Sequence, residues 1–224
     1  MTYRYLLLSA AILVAVSVRL YSATEPSWNI SRLQAAASHD RLIVVFAEKS
    51  RAILRVYEKK NEVWIECLHA DGFVGRNGIS SDKREADGAT PAGLYSLRRA
   101  FGIAENPGSL LPYHQLEPND YWVDDPASRY YNTMAKGDVP DRDWHSAEDL
   151  SKEIVAYKYA AVIEYNTDPV TKGAGSAIFL HCDLGKPTAG CVSVPEETMI
   201  RLLRFIRSGD GIIIANSMRE LITY

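Results

Sequence analysis

A chain of 224 residues that is 47% hydrophobic and 24% charged is long enough to bury one well-packed domain, and it shows none of the apolar depletion that marks disorder. Its formal net charge of -3 offers no basic footprint, which excludes nucleic acid as a partner. Three cysteines are an odd number, so at least one thiol stands outside any disulfide pairing.

Residues 1–23 are expected to be a signal peptide or an N-terminal membrane anchor. Arg4 precedes an apolar run over residues 5–18, which Arg19 ends. The run is short for a hydrocarbon core of ~30 Å but suits the apolar region of an export signal. Tyr21-Ser22-Ala23 is an imperfect cleavage site, so anchoring through residues 5–18 stands beside cleavage, and a buried core helix is the third reading. An export signal implies the periplasm or cell envelope.

Residues 30–39 form a helical patch, and three β-branched, aromatic runs follow at 41–47, 51–57 and 62–68. Separated by polar turns such as Lys59-Lys60-Asn61, they predict an antiparallel meander. A glycine-rich stretch over 72–93 leads into a strand at 94–97. Residues 101–150 change texture: rich in proline, aspartate and tyrosine, they read as a long insert without periodicity, of the kind that serves as a lid or binding loop. Within it and just beyond, residues 146–155 predict a short capped helix. Strands follow at 159–165 and 176–181. Ser193 to Glu196 fits a capping box, after which Met199, Leu202, Leu203 and Ile206 share one helical face. A last strand covers 212–215. With no repeat or linker, the chain reads as one mostly β (α+β) domain over residues 41–216.

The chemistry concentrates in HCDLGKPTAGCV, residues 181–192. In a strand, Ala177, Phe179 and His181 share a face, while Ile178, Leu180 and Cys182 point the other way. The same alternation turns Val192 and Val194 inward and Cys191 and Ser193 outward. Cys191 thus joins His181 and not Cys182. Placed before a helix, Cys191 would feel its positive end, which favours the thiolate. Gly190 and Cys191 offer backbone N–H groups to a developing oxyanion. A zinc site lacks a convincing fourth ligand, so no metal is expected. A Cys182–Cys191 disulfide would consume the nucleophile, and a Cys67–Cys182 pair would leave it free; both remain open at this point.

A strand ending in His, then a Gly-rich loop to Thr188-Ala189-Gly190-Cys191-Val192, resembles the catalytic domain of the L,D-transpeptidases (YkuD type). Gly75-Arg76-Asn77-Gly78 and Asp87-Gly88-Ala89-Thr90-Pro91-Ala92-Gly93 resemble the same family's upstream segment. The resemblance implies a β-sandwich or barrel with one helix after the catalytic cysteine, Cys191 as nucleophile, His181 as base, and Thr188 and Gly190 shaping an oxyanion loop. It implies peptidoglycan stem peptides as partners and no cofactor, since the acyl energy comes from the bond broken. The terminal D-alanine of a tetrapeptide leaves, and an amine of a second stem forms a 3–3 cross-link. If water replaces the amine, the result is an L,D-carboxypeptidase or related hydrolase; a wall-binding module without catalysis is the third class. The ten-residue step from His181 to Cys191, Ala189 and Ser193 resemble a divergent branch that also carries Tyr121-Trp122-Val123-Asp124-Asp125-Pro126. Arg76, Tyr121 and Trp122 are candidate substrate-binding residues. Asp124 and Asp125 fit either a substrate ammonium or a turn cap, and His145 is a candidate neighbour of the site.

Overall fold

The computed structural model describes residues 29–224, and the segment read as an export signal lies outside the described residues. Strands β1 (Arg41–Glu48), β2 (Arg51–Lys60) and β3 (Val63–Phe73) form the expected antiparallel meander. In the glycine-rich stretch, β4 (Ile79–Ser80) and β5 (Thr90–Pro91) pair in parallel before β6 (Gly93–Gly102). β7 (Tyr113–Gln115) then extends one edge of β6. The insert holds its own small sheet of β8 (Asp120–Val123), β9 (Met134–Lys136) and β10 (Ala147–Asp149), with β8 in the middle. β11 (Ala160–Ile163), β12 (Phe179–Cys182), β13 (Val192–Val194), α1 (Glu196–Leu203), β14 (Asp210–Ala215) and α2 (Met218–Leu221) complete the order.

The main sheet runs β11-β12-β13-β3-β2-β1-β14-β6-β7. β6 pairs with β14 through Gly93 to Leu97 and with β11 through Leu97 to Phe101. The sheet therefore closes on itself, and the fold is the β-barrel expected from the resemblance. Ile43, Val45, Leu54, Val56, Ile212 and Ile214 fill the interior. The predicted helical face of Met199, Leu202, Leu203 and Ile206 packs into the same core. On β1 and β14 the alternate residues are buried as well: Leu42, Val44, Ile213 and Ala215 lie under Ile30, Leu33, Ala35 and Leu221. Covering both faces of this parallel pair explains why those strands read as continuous apolar runs. None of the described helices is long and apolar enough to cross a membrane.

Several local expectations change. Residues 30–39 form two 3₁₀ segments, Ile30–Arg32 and Gln34–Ala37, because Leu33 between them is extended. The helix expected over 146–155 is instead β10 and a 3₁₀ turn, Leu150–Lys152. Cross-strand pairing of Glu148 with Trp122 overrides the local helical signal. Ser193 is no helix cap: it lies in β13, and α1 starts after Pro195 without a side-chain cap. The strand expected from residue 176 begins only at Phe179, since Ala177 is left-handed at φ 54°. The insert is structured, not a bare loop. Trp122, Phe101, Tyr157 and Phe179 meet edge to face, with centroids 4.9–5.6 Å apart, and fasten it to the barrel wall.

Candidate active site

β12 and β13 run side by side in parallel, with His181 opposite Ser193. Strand alternation sends Leu180, Cys182, Val192 and Val194 into the barrel. Phe179 and Cys191 face the insert. His181, Cys191 and Ser193 consequently line one cleft of about 620 Å³ on the outer side of that wall. Cys182 points away, its thiol 3.6 Å from the Tyr159 carbonyl. All three cysteines are free thiols, so neither disulfide considered above forms.

The turn before Cys191 is tied by Thr188. Its hydroxyl donates to the Cys191 carbonyl at 2.6 Å and accepts the Gly190 N–H at 3.1 Å. Thr90 donates to the same carbonyl at 3.2 Å and accepts the Gly75 N–H, joining the Thr-Pro turn to the cysteine turn. The Arg76 N–H donates to the Thr188 carbonyl, fixing the loop's other edge. Gly190 admits the close packing this requires, since a Cβ there would stand 3.1 Å from the Ala89 carbonyl oxygen. Gly190's amide is thereby engaged. The N–H groups of Ala189 and Cys191 donate to no carbonyl among the turn and loop bonds of the described residues, which leaves them as the uncommitted donors of the cysteine turn.

His181 Nδ1 stands 2.8 Å from the Cys182 carbonyl. Only a protonated Nδ1 can donate to a carbonyl, which fixes the tautomer and leaves the lone pair on Nε2. The Tyr157 ring meets the imidazole edge to face at 5.6 Å. Burial lowers the His181 pKa against the opposing pull of that backbone bond and of Asp183. Burial pushes the Cys191 thiol up to about 12, with the Glu148 charge adding to it. Both shifts disfavour an ion pair, so the resting pair is neutral thiol and neutral imidazole. The thiol donates to the Ala177 carbonyl at 3.2 Å and accepts the Phe179 N–H at 3.3 Å, not bonding His181. The expected help from a helix dipole is absent, because β13 separates Cys191 from α1 and the effect fades within the first turn.

Arg76, Thr188 and Gly190 line the cleft with the dyad, whereas Tyr121 and Trp122 do not. Trp122 is 1% exposed beneath Phe179 and donates its Nε1–H to Asn132, and Tyr121 covers Gly137. The adjacent aspartates part company: Asp125 caps a turn through the Ala127 and His145 N–H groups, while Asp124 faces the cleft. His145 is exposed and outside the cleft. Glu148 and Tyr157 were not picked out by sequence reasoning. The Tyr157 hydroxyl donates to Glu148 Oε1 at 2.7 Å, and burial pushes Glu148 up to about 7. As part of the short capped helix expected over residues 146–155, Glu148 gives no signal of this position.

The family model of the L,D-transpeptidase catalytic domain, YkuD, matches residues 40–214. Among solved structures, Bd1075 of Bdellovibrio bacteriovorus is 18% identical with a TM-score of 0.42, over 82% of this chain and 50% of its own. The C442S mutant of an Enterococcus faecium L,D-transpeptidase is 13% identical with a TM-score of 0.36, over 79% of this chain and 50% of its own. The chain thus spans about half the length of these solved structures. No curated protein matches it.

Proposed function

Because the chain belongs to the cysteine-dependent L,D-transpeptidase (YkuD) family, we propose that it is a peptidoglycan acyltransferase that works outside the cytoplasm on tetrapeptide stems. Cys191 is the nucleophile and His181 the base. The observation that carries this reading is the shared cleft of a strand histidine with a fixed tautomer and a cysteine on a turn held by Thr188 and Thr90.

In the first half-reaction, Cys191 leaves the Ala177 carbonyl and gives its proton to His181 Nε2. The sulfur attacks the carbonyl of the third, diamino-acid residue. The N–H groups of Ala189 and Cys191 receive the oxyanion. His181 returns the proton to the departing D-alanine nitrogen, leaving a thioester. In the second half-reaction a neutral amine of a neighbouring stem attacks that carbonyl and gives a proton to His181 Nε2, the C–S bond breaks as His181 returns that proton to the Cys191 sulfur, and a 3–3 cross-link forms. Arg76 lines the same cleft, and in this reading its guanidinium receives a stem carboxylate.

Incubation with disaccharide-tetrapeptide followed by mass spectrometry tests the reading. A cross-linked dimer is expected, together with a mass increment on Cys191, and Cys191→Ala abolishes both. Tripeptide without dimer would assign the acceptor role to water. No product and no adduct on Cys191 would refute the enzyme.

A further inference from the structure

The cleft has two unlike walls. Arg76, Lys83, Glu85 and Lys186 stand with the barrel's loops, Lys83 paired with Asp87 and Glu85 taking the Tyr131 and Ser176 hydroxyls; the insert and the segment after it contribute Asp124, Glu148 and Glu153. None of these three carboxylates takes part in an ion pair among the described residues. Asp124 Oδ1 is fully buried and takes no hydrogen bond. Glu148 receives the Tyr157 hydroxyl on Oε1, while its Oε2 has no partner among the described residues. On the floor beside them Ser193, 1% exposed, holds an Oγ without a partner, next to His181 in the strand register. A buried carboxylate without a cation and a buried hydroxyl without a partner are both costly. Here they line the same cleft as the nucleophile.

We propose that this wall seats an alkylammonium group of the peptide substrate, held by Asp124 and Glu148 with the Ser193 hydroxyl, while substrate carboxylates turn toward Arg76 and Lys186. The inference deepens the stem-peptide reading and rests on it for the substrate's identity. An ammonium supplies three donors and a positive charge, which matches two carboxylates and a hydroxyl acceptor. The cleft then reads the stem as a dipole. Two groups have this chemistry: the side-chain ammonium of the acylated diamino acid, and that of the incoming acceptor. Asp124, Glu153, Tyr157 and the Cys191 thiol are the titratable groups facing Glu148. Burial and the two neighbouring carboxylates keep Glu148 partly protonated near neutrality, so ammonium binding strengthens as pH rises and Glu148 ionises.

The first test is independent of catalysis: n-pentylammonium chloride is titrated into the protein by calorimetry between pH 5.5 and 8. Affinity is expected to rise with pH in the wild type. Asp124→Asn and Glu148→Gln each weaken it by about tenfold or more, and Glu148→Gln flattens the pH dependence. A near-UV circular dichroism spectrum and melting curve of each variant check that the fold around the cleft is intact. No binding by the wild type, or equal binding by wild type and variants, overturns the proposal.

The second test uses stem tetrapeptides with free or N-acetylated side-chain amines, following the Cys191 acyl-enzyme by intact mass. If the variants slow acylation only by free-amine donors, the seat belongs to the donor. If acylation is unchanged and only resolution by a free-amine acceptor falls, it belongs to the acceptor. Equal treatment of free and acetylated peptides by wild type and variants in both steps overturns the proposal. A wild type that binds pentylammonium but forms no acyl-enzyme refutes the enzymatic reading and leaves the seat standing.

Discussion

Cys191 illustrates how burial and hydrogen bonding set a reactivity that its residue type does not. With its thiol pushed up to about 12, the thiolate fraction rises about tenfold per pH unit throughout the neutral and mildly alkaline range. In a Cys67→Ala, Cys182→Ala background, iodoacetamide labelling of Cys191 should still be accelerating at pH 9.5. A plateau near pH 7 would show that a thiolate–imidazolium pair exists at rest. Glu148 bears the opposite cost. Its carboxyl is pushed from 4.5 up to about 7, so below pH 4.5 it is protonated whether folded or not and carries no penalty. Above about 7 it is ionised in both states, and the folded protein bears a penalty of up to about 3 kcal/mol. Glu148→Gln should therefore raise the urea midpoint at pH 8 and leave it nearly unchanged at pH 4. Equal shifts at both pH values would contradict this assignment.

At the scale of elements, the insert sheet and the cysteine turn cooperate through packing. Trp122 of β8 supports Phe179, whose N–H in turn donates to the Cys191 sulfur. Trp122→Ala should cost about 3–5 kcal/mol and loosen the sulfur's seat, seen as a lower melting temperature with faster Cys191 labelling. Unchanged labelling in a folded variant would separate the insert from the thiol. Here the boundary of what sequence reveals is plain. The β1–β3 meander, the apolar face of α1 and the separation of Cys191 from Cys182 follow from local periods of 2 and 3.6 residues, and they were legible. Glu148 sits opposite Trp122, far away in sequence. Residues 146–155 carried a helix-like local pattern, and only the distant partner strand decides otherwise. Ala177 gave no sign either: alanine rarely adopts φ 54°. Its N–H is held by Asn132 at 3.1 Å, a contact across 45 positions.

For the whole molecule, barrel closure separates the burdens of stability and chemistry. Leu221 is fully buried against the outer face of β1 and β14. Leu221→Ala should destabilise by about 2–5 kcal/mol without altering the labelling rate of Cys191 at 20 °C. A changed rate would mean the barrel transmits strain from one side to the other. The closed barrel itself was expected from the family's motifs and not from periodicity, since no local pattern reports that β6 meets both β14 and β11.

That closure also fixes a direction. Around the ring, β12 and β13 stand four strands from β1 and β14, and the cleft lies outside the former pair as the outer apolar layer lies outside the latter. Residues 30–36 and 221–224 meet in that layer, with the Ala35 N–H donating to the Tyr224 carbonyl. Both ends of the described chain thus emerge together, diametrically across the barrel from Cys191. Anything joined at either end, whether a surface tether or a bulky fusion, holds the protein by its back and leaves the mouth of the cleft unobstructed.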